Sequence, residues 1–240
     1  MCTVTIIPNK TGFTLTSSRD EIASRGVTQF PIKMELGKER IYFPQDPLAG
    51  GTWIATSEKG KVVCLLNGGF EKHKHQPPYS FSRGKVVMDC FSFENFELFG
   101  KVYNLSGVEP FTLVLIDNMQ LFELVWDGDT KHFKELNAND QHIWSSSTLY
   151  NKEIREIRQK WFKNWGLHED STNAAIFDFH LKGGNISDSF NIKMKRKNGP
   201  ETVSITQVSM DNHNITKRHL NFISEEDNQI QIELKSLLHA

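Results

Sequence analysis

Cys2-Thr3-Val4-Thr5-Ile6-Ile7-Pro8-Asn9-Lys10-Thr11-Gly12-Phe13-Thr14-Leu15-Thr16-Ser17-Ser18-Arg19-Asp20 contains two short runs rich in β-branched residues, Thr3–Ile7 and Phe13–Ser18. Between them Pro8 to Gly12 supply turn chemistry, so the chain is predicted to open with a β-hairpin. In that hairpin residue 2 and residues 18 to 20 fall at the same edge. Initiator methionine is removed when the next side chain is small, which would make Cys2 the first residue of the mature chain. Its α-amino group, with a pKa of about 7.7 to 8.0, could then act as the base for its own thiol. That thiol is mostly protonated at neutral pH and needs a cation or a base beside it. Arg19 would stabilise the thiolate and Asp20 would orient the α-amino group. Alternatively, Cys2 is incidental and Arg19-Asp20 is a surface ion pair continued by Glu21 and Arg25.

A second hairpin is expected from Thr52–Thr56 and Val62–Leu66, preceded by Gly50-Gly51 and followed by Asn67-Gly68-Gly69. The Asn67 carboxamide could donate to a developing oxyanion, although Asn-Gly-Gly is also an ordinary turn. Residues 26–49 read as irregular, and Lys85 to Val102 as a helix. Phe111–Ile116 and Leu121–Trp126 form a third predicted hairpin. Ile154, Ile157, Trp161 and Trp165 recur at helical spacing between Asn151 and Trp165, with charge filling the opposite face. Ser171 or Thr172 could cap a further helix ended by Gly183-Gly184. Strands return at Thr202–Val208, Ile215–Phe222 and Ile230–Leu234. Strands at both ends with helices between them predict an α+β fold, with residues 1–240 as one domain.

Composition narrows the function. The 240 residues are 38% hydrophobic and 24% charged with a formal net charge of -1, as in ordinary globular proteins. A pI near 6.8 gives no general field for nucleic acid. Lys193 to Lys197 is read as a solvated loop beside Asn198-Gly199-Pro200. No apolar stretch is long enough to span a membrane, and the first residues lack a secretory leader. Cys2, Cys64 and Cys90, odd in number and widely spaced, fit a reducing compartment, so a cytoplasmic protein is expected. His73-Lys74-His75 would need further ligands to hold a metal, so neither a metal nor a cofactor is expected. Phe91, Phe93, Phe96 and Phe99 read as core.

Taken in order, Met1-Cys2-Thr3, Ser18-Arg19-Asp20-Glu21, Gly50-Gly51-Thr52-Trp53-Ile54, Leu66-Asn67 and Ser82-Arg83-Gly84 resemble the NRDE family, the relatives of the transport and Golgi organisation 2 protein. That family is similar in turn to the choloylglycine and penicillin V acylase branch of the N-terminal-nucleophile hydrolases. The resemblance implies a four-layer αββα fold. It makes Cys2 the nucleophile, Arg19 and Asp20 its electrostatic partners and Asn67 an oxyanion donor, with Trp53 and Arg83 shaping the pocket. The sequence departs from the family at Ser18, where Asn is usual. It also departs at Ser146, where relatives carry a polar Asn, and at Glu201, in a segment where relatives carry Arg; the resemblance makes both substrate-binding residues. The implied activity is hydrolysis of a linear amide of a small molecule through an acyl-enzyme. The alternative is a non-catalytic binding or trafficking protein for haem or another hydrophobic ligand, and a third reading makes Cys2 a redox sensor. The oligomeric state is not indicated by the sequence.

Overall fold

The computed structural model describes residues 3–37, 39–166 and 172–235, so Met1, Cys2 and Ser171 lie outside the described residues. Thirteen strands and four α-helices are found there. Strands β1 (Thr3–Asn9) and β2 (Gly12–Glu21) are followed by β3 (Gln29–Leu36), β4 (Glu39–Gln45), β5 (Ile54–Ser57) and β6 (Val62–Asn67). Helices α1 (Arg83–Asp89) and α2 (Phe96–Val102) precede β7 (Phe111–Asp117), β8 (Gln120–Trp126), β9 (Lys131–Leu136) and β10 (His142–Ser145). Helices α3 (Lys152–Asn164) and α4 (Asn173–Lys182) then lead to β11 (Glu201–Met210), β12 (Asn214–Asn221) and β13 (Glu226–Glu233).

The strands form two antiparallel sheets, one of six strands in the order β10-β1-β2-β11-β12-β13 and one of seven in the order β3 to β9. Helices α3 and α4 pack on the six-stranded sheet, and α1 and α2 on the seven-stranded one. This is a helix–sheet–sheet–helix stack. Period-two alternation sets its layers. Val4, Ile6, Phe13 and Leu15 enter the main core with Ile41, Phe43, Ile54 and Leu113 of the other sheet. The alternate positions Thr3, Thr5 and Ser18 face the helices, where they meet Arg158 and His180. Ile7 joins Phe162, Ile176 and Phe179 in a smaller cluster on that side. The predicted hairpins are present. In the third, Asn118 and Met119 both take positive φ (48° and 64°), as a two-residue turn of type I′ requires.

Several expectations need correcting. Residues 26–49 contain β3 and β4 rather than irregular chain. Ile41 and Phe43 of β4 are buried, whereas β3 is an edge strand whose Lys33 and Glu35 are exposed, and charge of that kind guards an edge. The helix expected from Lys85 to Val102 is two helices, interrupted by a 3-10 turn at Cys90–Ser92. Asn95 starts the second by accepting the Leu98 amide at 2.8 Å. Strands β9 and β10 were not foreseen, because Lys131, Lys134 and Glu135 mask the alternation. Charge does not keep to the outer face of α3 either, since Arg158 is fully buried. The basic run is only partly solvated: Met194 is buried and Arg196 donates to the Leu149 carbonyl at 2.8 Å.

A candidate active site at the end of the first hairpin

The β1–β2 register pairs Thr3 with Ser18, which leaves Arg19, Asp20 and Glu21 extending β2 past the described end of β1. There β2 pairs with β11, and a bulge falls between Thr202 and Ser204. Successive side chains point to opposite faces. Arg19 therefore enters the space between the sheets, and Asp20 faces the helices.

Arg19 is 3% exposed. Its Nη2 pairs with Asp46 Oδ2, and its guanidinium carbon lies 4.6 Å from the centroid of the Trp53 ring. Its Nη1 has no hydrogen-bond partner among the described residues. Burial pulls the Arg19 pKa below its ordinary value, while Asp46 acts the other way. Asp46 also receives Arg25 Nε at 2.7 Å, and its Oδ1 accepts the amides of Leu48 and Ala49 at 3.1 and 2.8 Å. Burial opposes ionisation of Asp46, yet the Arg25 and Ala49 hydrogen bonds and the two guanidinium charges hold its carboxyl below the usual range.

Arg19, Trp53, Asn67 and Arg83 line one cavity of about 170 Å³, together with Glu21, Arg25 and Asp46. Thus four of the candidate residues named from the sequence share a wall. Of the signature glycines, Gly84 is explained by close approach: a Cβ there would stand 3.2 Å from the Thr52 carbonyl oxygen and 3.3 Å from its nitrogen, whereas Gly50 takes a positive φ of 65° and a Cβ on Gly51 would meet Gly84 Cα at an ordinary 3.5 Å. Arg83 pairs with Glu109 at 3.0 Å and donates to the Pro110 carbonyl at 3.3 Å, so it is a structural ion pair as well as a lining residue.

The other candidates lie elsewhere. Asp20 accepts the Tyr150 hydroxyl at 2.8 Å and the Thr202 hydroxyl at 2.6 Å on the helical side of the sheet. Ser146 donates to the Asn67 carbonyl at 2.7 Å, so it bonds the backbone of a lining residue without lining the cavity. Glu201 sits in the ladder opposite Glu21, and its carboxylate is 3.5 Å from Lys195 Nζ. Cys2 is outside the described residues, one peptide bond from Thr3. His73 and His75 both approach Glu109 Oε1, at 3.1 and 3.2 Å. Among the described residues no cluster of three or more His, Cys, Asp or Glu is placed to hold a metal ion.

Sequence reading missed the residues that hold the hairpin from outside. His180 of α4 bridges Thr5 Oγ1 and Ser18 Oγ, both at 2.8 Å. Arg158 of α3 donates to Thr3 Oγ1 and to the carbonyls of Phe190 and Asn191, and stacks 3.6 Å from the centroid of the Tyr150 ring. Arg158 sits four residues from both Ile154 and Phe162, and that spacing was its one signal. The two described cysteines are buried and free. Burial pushes the Cys64 thiol up to about 12 and raises Cys90 as well.

This arrangement of two antiparallel sheets between helical layers is the fold of the N-terminal-nucleophile hydrolases. It is similar to a mutant conjugated bile acid hydrolase from Clostridium perfringens, with TM-score 0.61 and 11% identity over 97% of this chain and 92% of that one. It is also similar to the N-acylethanolamine-hydrolyzing acid amidase ortholog of Caenorhabditis elegans, with TM-score 0.58 and 9% identity over 86% of this chain and 92% of that one. Residues 1–229 match the family described as Transport and Golgi organisation 2, and the chain belongs to that family. No curated protein sequence matches it.

Proposed function

We propose that the protein is a cysteine amidohydrolase that cleaves a linear amide of a small molecule, with Cys2 as the nucleophile after removal of Met1. The carrying observation is that Arg19 and Asn67 line one cavity at the sheet edge where Thr3 pairs with Ser18, one residue from Cys2. The α-amino group takes the thiol proton and the thiolate attacks the amide carbonyl. Asn67 donates to the oxyanion, the amine departs with the proton from the ammonium, and the amino group then activates water to hydrolyse the thioester. The Arg19 charge favours the thiolate, and Asp20 orients the amino group. The burial and raised pKa of Cys64 and Cys90 support Cys2 as the reactive thiol.

The second reading implied by the sequence resemblance is a carrier of haem or another hydrophobic ligand, with Ser146 and Glu201 marking the changed site; the family description speaks of transport and names no ligand. Drug-sized ligands occupy about 300 to 1,000 Å³ in mostly apolar surroundings. The Arg19 cavity, at about 170 Å³ and lined by five charged side chains, does not suit such a ligand, and a carrier would have to use another site, such as the cavity of about 500 Å³ lined by Glu201. Among the described residues no helix is long and apolar enough to cross a membrane. The free Cys64 and Cys90 support a reducing compartment, and we place the protein in the cytoplasm. Intact-mass analysis before and after a limiting thiol electrophile tests the nucleophile: loss of Met1 with one label on Cys2 is expected. Retained Met1, or hydrolysis unchanged in Cys2→Ala, overturns the reading.

A further inference from the structure

Hydrogen-bonding groups inside proteins are almost always satisfied, and leaving one unpaired is costly, more so when it carries charge. Two side-chain donors in the Arg19 cavity break this rule side by side. Arg19 Nη1 and Trp53 Nε1 are both buried and have no partner among the described residues. The two side chains are 4% and 3% exposed, measured on the Arg19 side chain and on the whole of Trp53, and they stack on one another.

The carboxylates nearby are committed. Asp46 Oδ2 serves Arg19 Nη2 and Arg25, and its Oδ1 serves two backbone amides. Glu21 Oε1 takes the Ile22 amide, and Oε2 lies 3.6 Å from Arg25 Nη1. Glu109, outside the lining, is shared by Arg83, His73 and His75. Three guanidiniums and two carboxylates therefore line the cavity, and two buried N–H donors of its lining residues, Arg19 Nη1 and Trp53 Nε1, have no partner among the described residues.

We infer that this cavity is a subsite for a small anionic group of the ligand, a carboxylate in the first instance, taken by Arg19 Nη1 and Trp53 Nε1 with Arg83 beside them. This rests on the amidohydrolase reading only for its meaning, namely that the substrate carries negative charge close to the scissile amide. Arg19 Nη2 is held by Asp46, so the donor left to a ligand is Nη1, and the charge that favours the Cys2 thiolate is the same one that would attract the anion. A carboxylate suits the site because its two oxygens can accept from both donors at once, and each bond to an ion is stronger than its neutral counterpart.

The test uses full-length Cys2→Ala protein, which cannot turn over, titrated with propionate and with propionamide while the indole N–H resonances of its five tryptophans are followed. Trp53→Phe identifies the Trp53 resonance. Propionate is expected to move that resonance saturably and to bind about ten-fold more tightly than propionamide, the margin of a charge-assisted over a neutral hydrogen bond. Arg83→Gln should weaken propionate and leave propionamide unchanged. Equal affinity for the two probes, or a Trp53 resonance that stays still, overturns the inference. Because nothing is hydrolysed here, loss of the amidohydrolase reading would show in the intact-mass experiment and not in this one.

Discussion

Tyr150, which is 1% exposed, donates its hydroxyl to Asp20 Oδ2 at 2.8 Å while its ring carries the buried guanidinium of Arg158 at 3.6 Å. One side chain thus links the carboxylate at the end of β2 to the cation that holds Thr3 at the start of β1. Tyr150→Phe keeps the ring and removes the hydrogen bond. The expected loss is about 1.5 to 3 kcal/mol, the range for bonds to charged groups, read as a lower midpoint in urea with an unchanged slope.

His180 lies wholly buried between Thr5 and Ser18, where desolvation first and the Arg158 charge second lower its pKa to about 3. His219, between Thr28 and Thr206, is lowered to about 3 by desolvation, with Lys217 and Arg19 adding to it. Both are neutral in the fold above that value, whereas the unfolded chain takes up protons below about pH 6.5. Stability should therefore be fully present above pH 6.5 and fall as pH drops toward 3, by about 1.4 kcal/mol per pH unit for each histidine. Urea unfolding across this window checks the slope. In His180→Gln the slope should shrink by one histidine's share.

Lys217 is buried between the sheets, donating to the Tyr42 carbonyl at 2.8 Å and lying 3.2 Å from Thr56 Oγ1. Desolvation lowers its pKa to about 7. Between pH 7 and about 10.5 the unfolded chain holds this proton and the folded one does not, so stability rises with pH across that interval. Lys217→Met should abolish the rise. Replacing a buried ion with an apolar residue of similar volume is often neutral or stabilising, so the variant is expected to unfold at pH 7 no more easily than the parent.

Gly84→Ala would place a methyl group 3.2 Å from the Thr52 carbonyl oxygen, where backbone and not a flexible side chain must yield. A loss of about 1 to 3 kcal/mol is expected, as for other overpacked sites. Because Thr52, Trp53 and Gly84 line the same cavity, propionate affinity should fall with it. Retained stability and retained affinity would show that the loop relaxes freely.

The sequence was most informative where chemistry and periodicity coincide. Strands β1, β2, β6, β7 and β8 follow from β-branched runs between turn residues. Arg19, Trp53, Asn67 and Arg83 follow from motifs, one of whose glycines, Gly84, is required by its close approach to the Thr52 backbone. Both edge strands of the seven-stranded sheet were hidden: in β3 and β9 alternating charge protects an unpaired rim and erases the apolar signal at the same time. The outer grip on the hairpin was hidden for another reason. Arg158, His180 and Tyr150 act through contacts 130 to 175 residues distant in the chain, and no local pattern encodes such partners.

The place of β11 between β2 and β12 has a consequence for how the protein is made. The opening hairpin, residues 3–21, pairs along its inner edge with residues 201–210, which leave the ribosome long after it. During most of synthesis β2 therefore has a bare edge on that side, and exposed edges are templates for wrong pairing. The Arg19 cavity, lined only by residues between 19 and 84, does not wait for that strand, whereas the pairing of Glu21 with Glu201 closes over a separation of 180 residues. Closure over so long a separation belongs to the slow class of folding reactions.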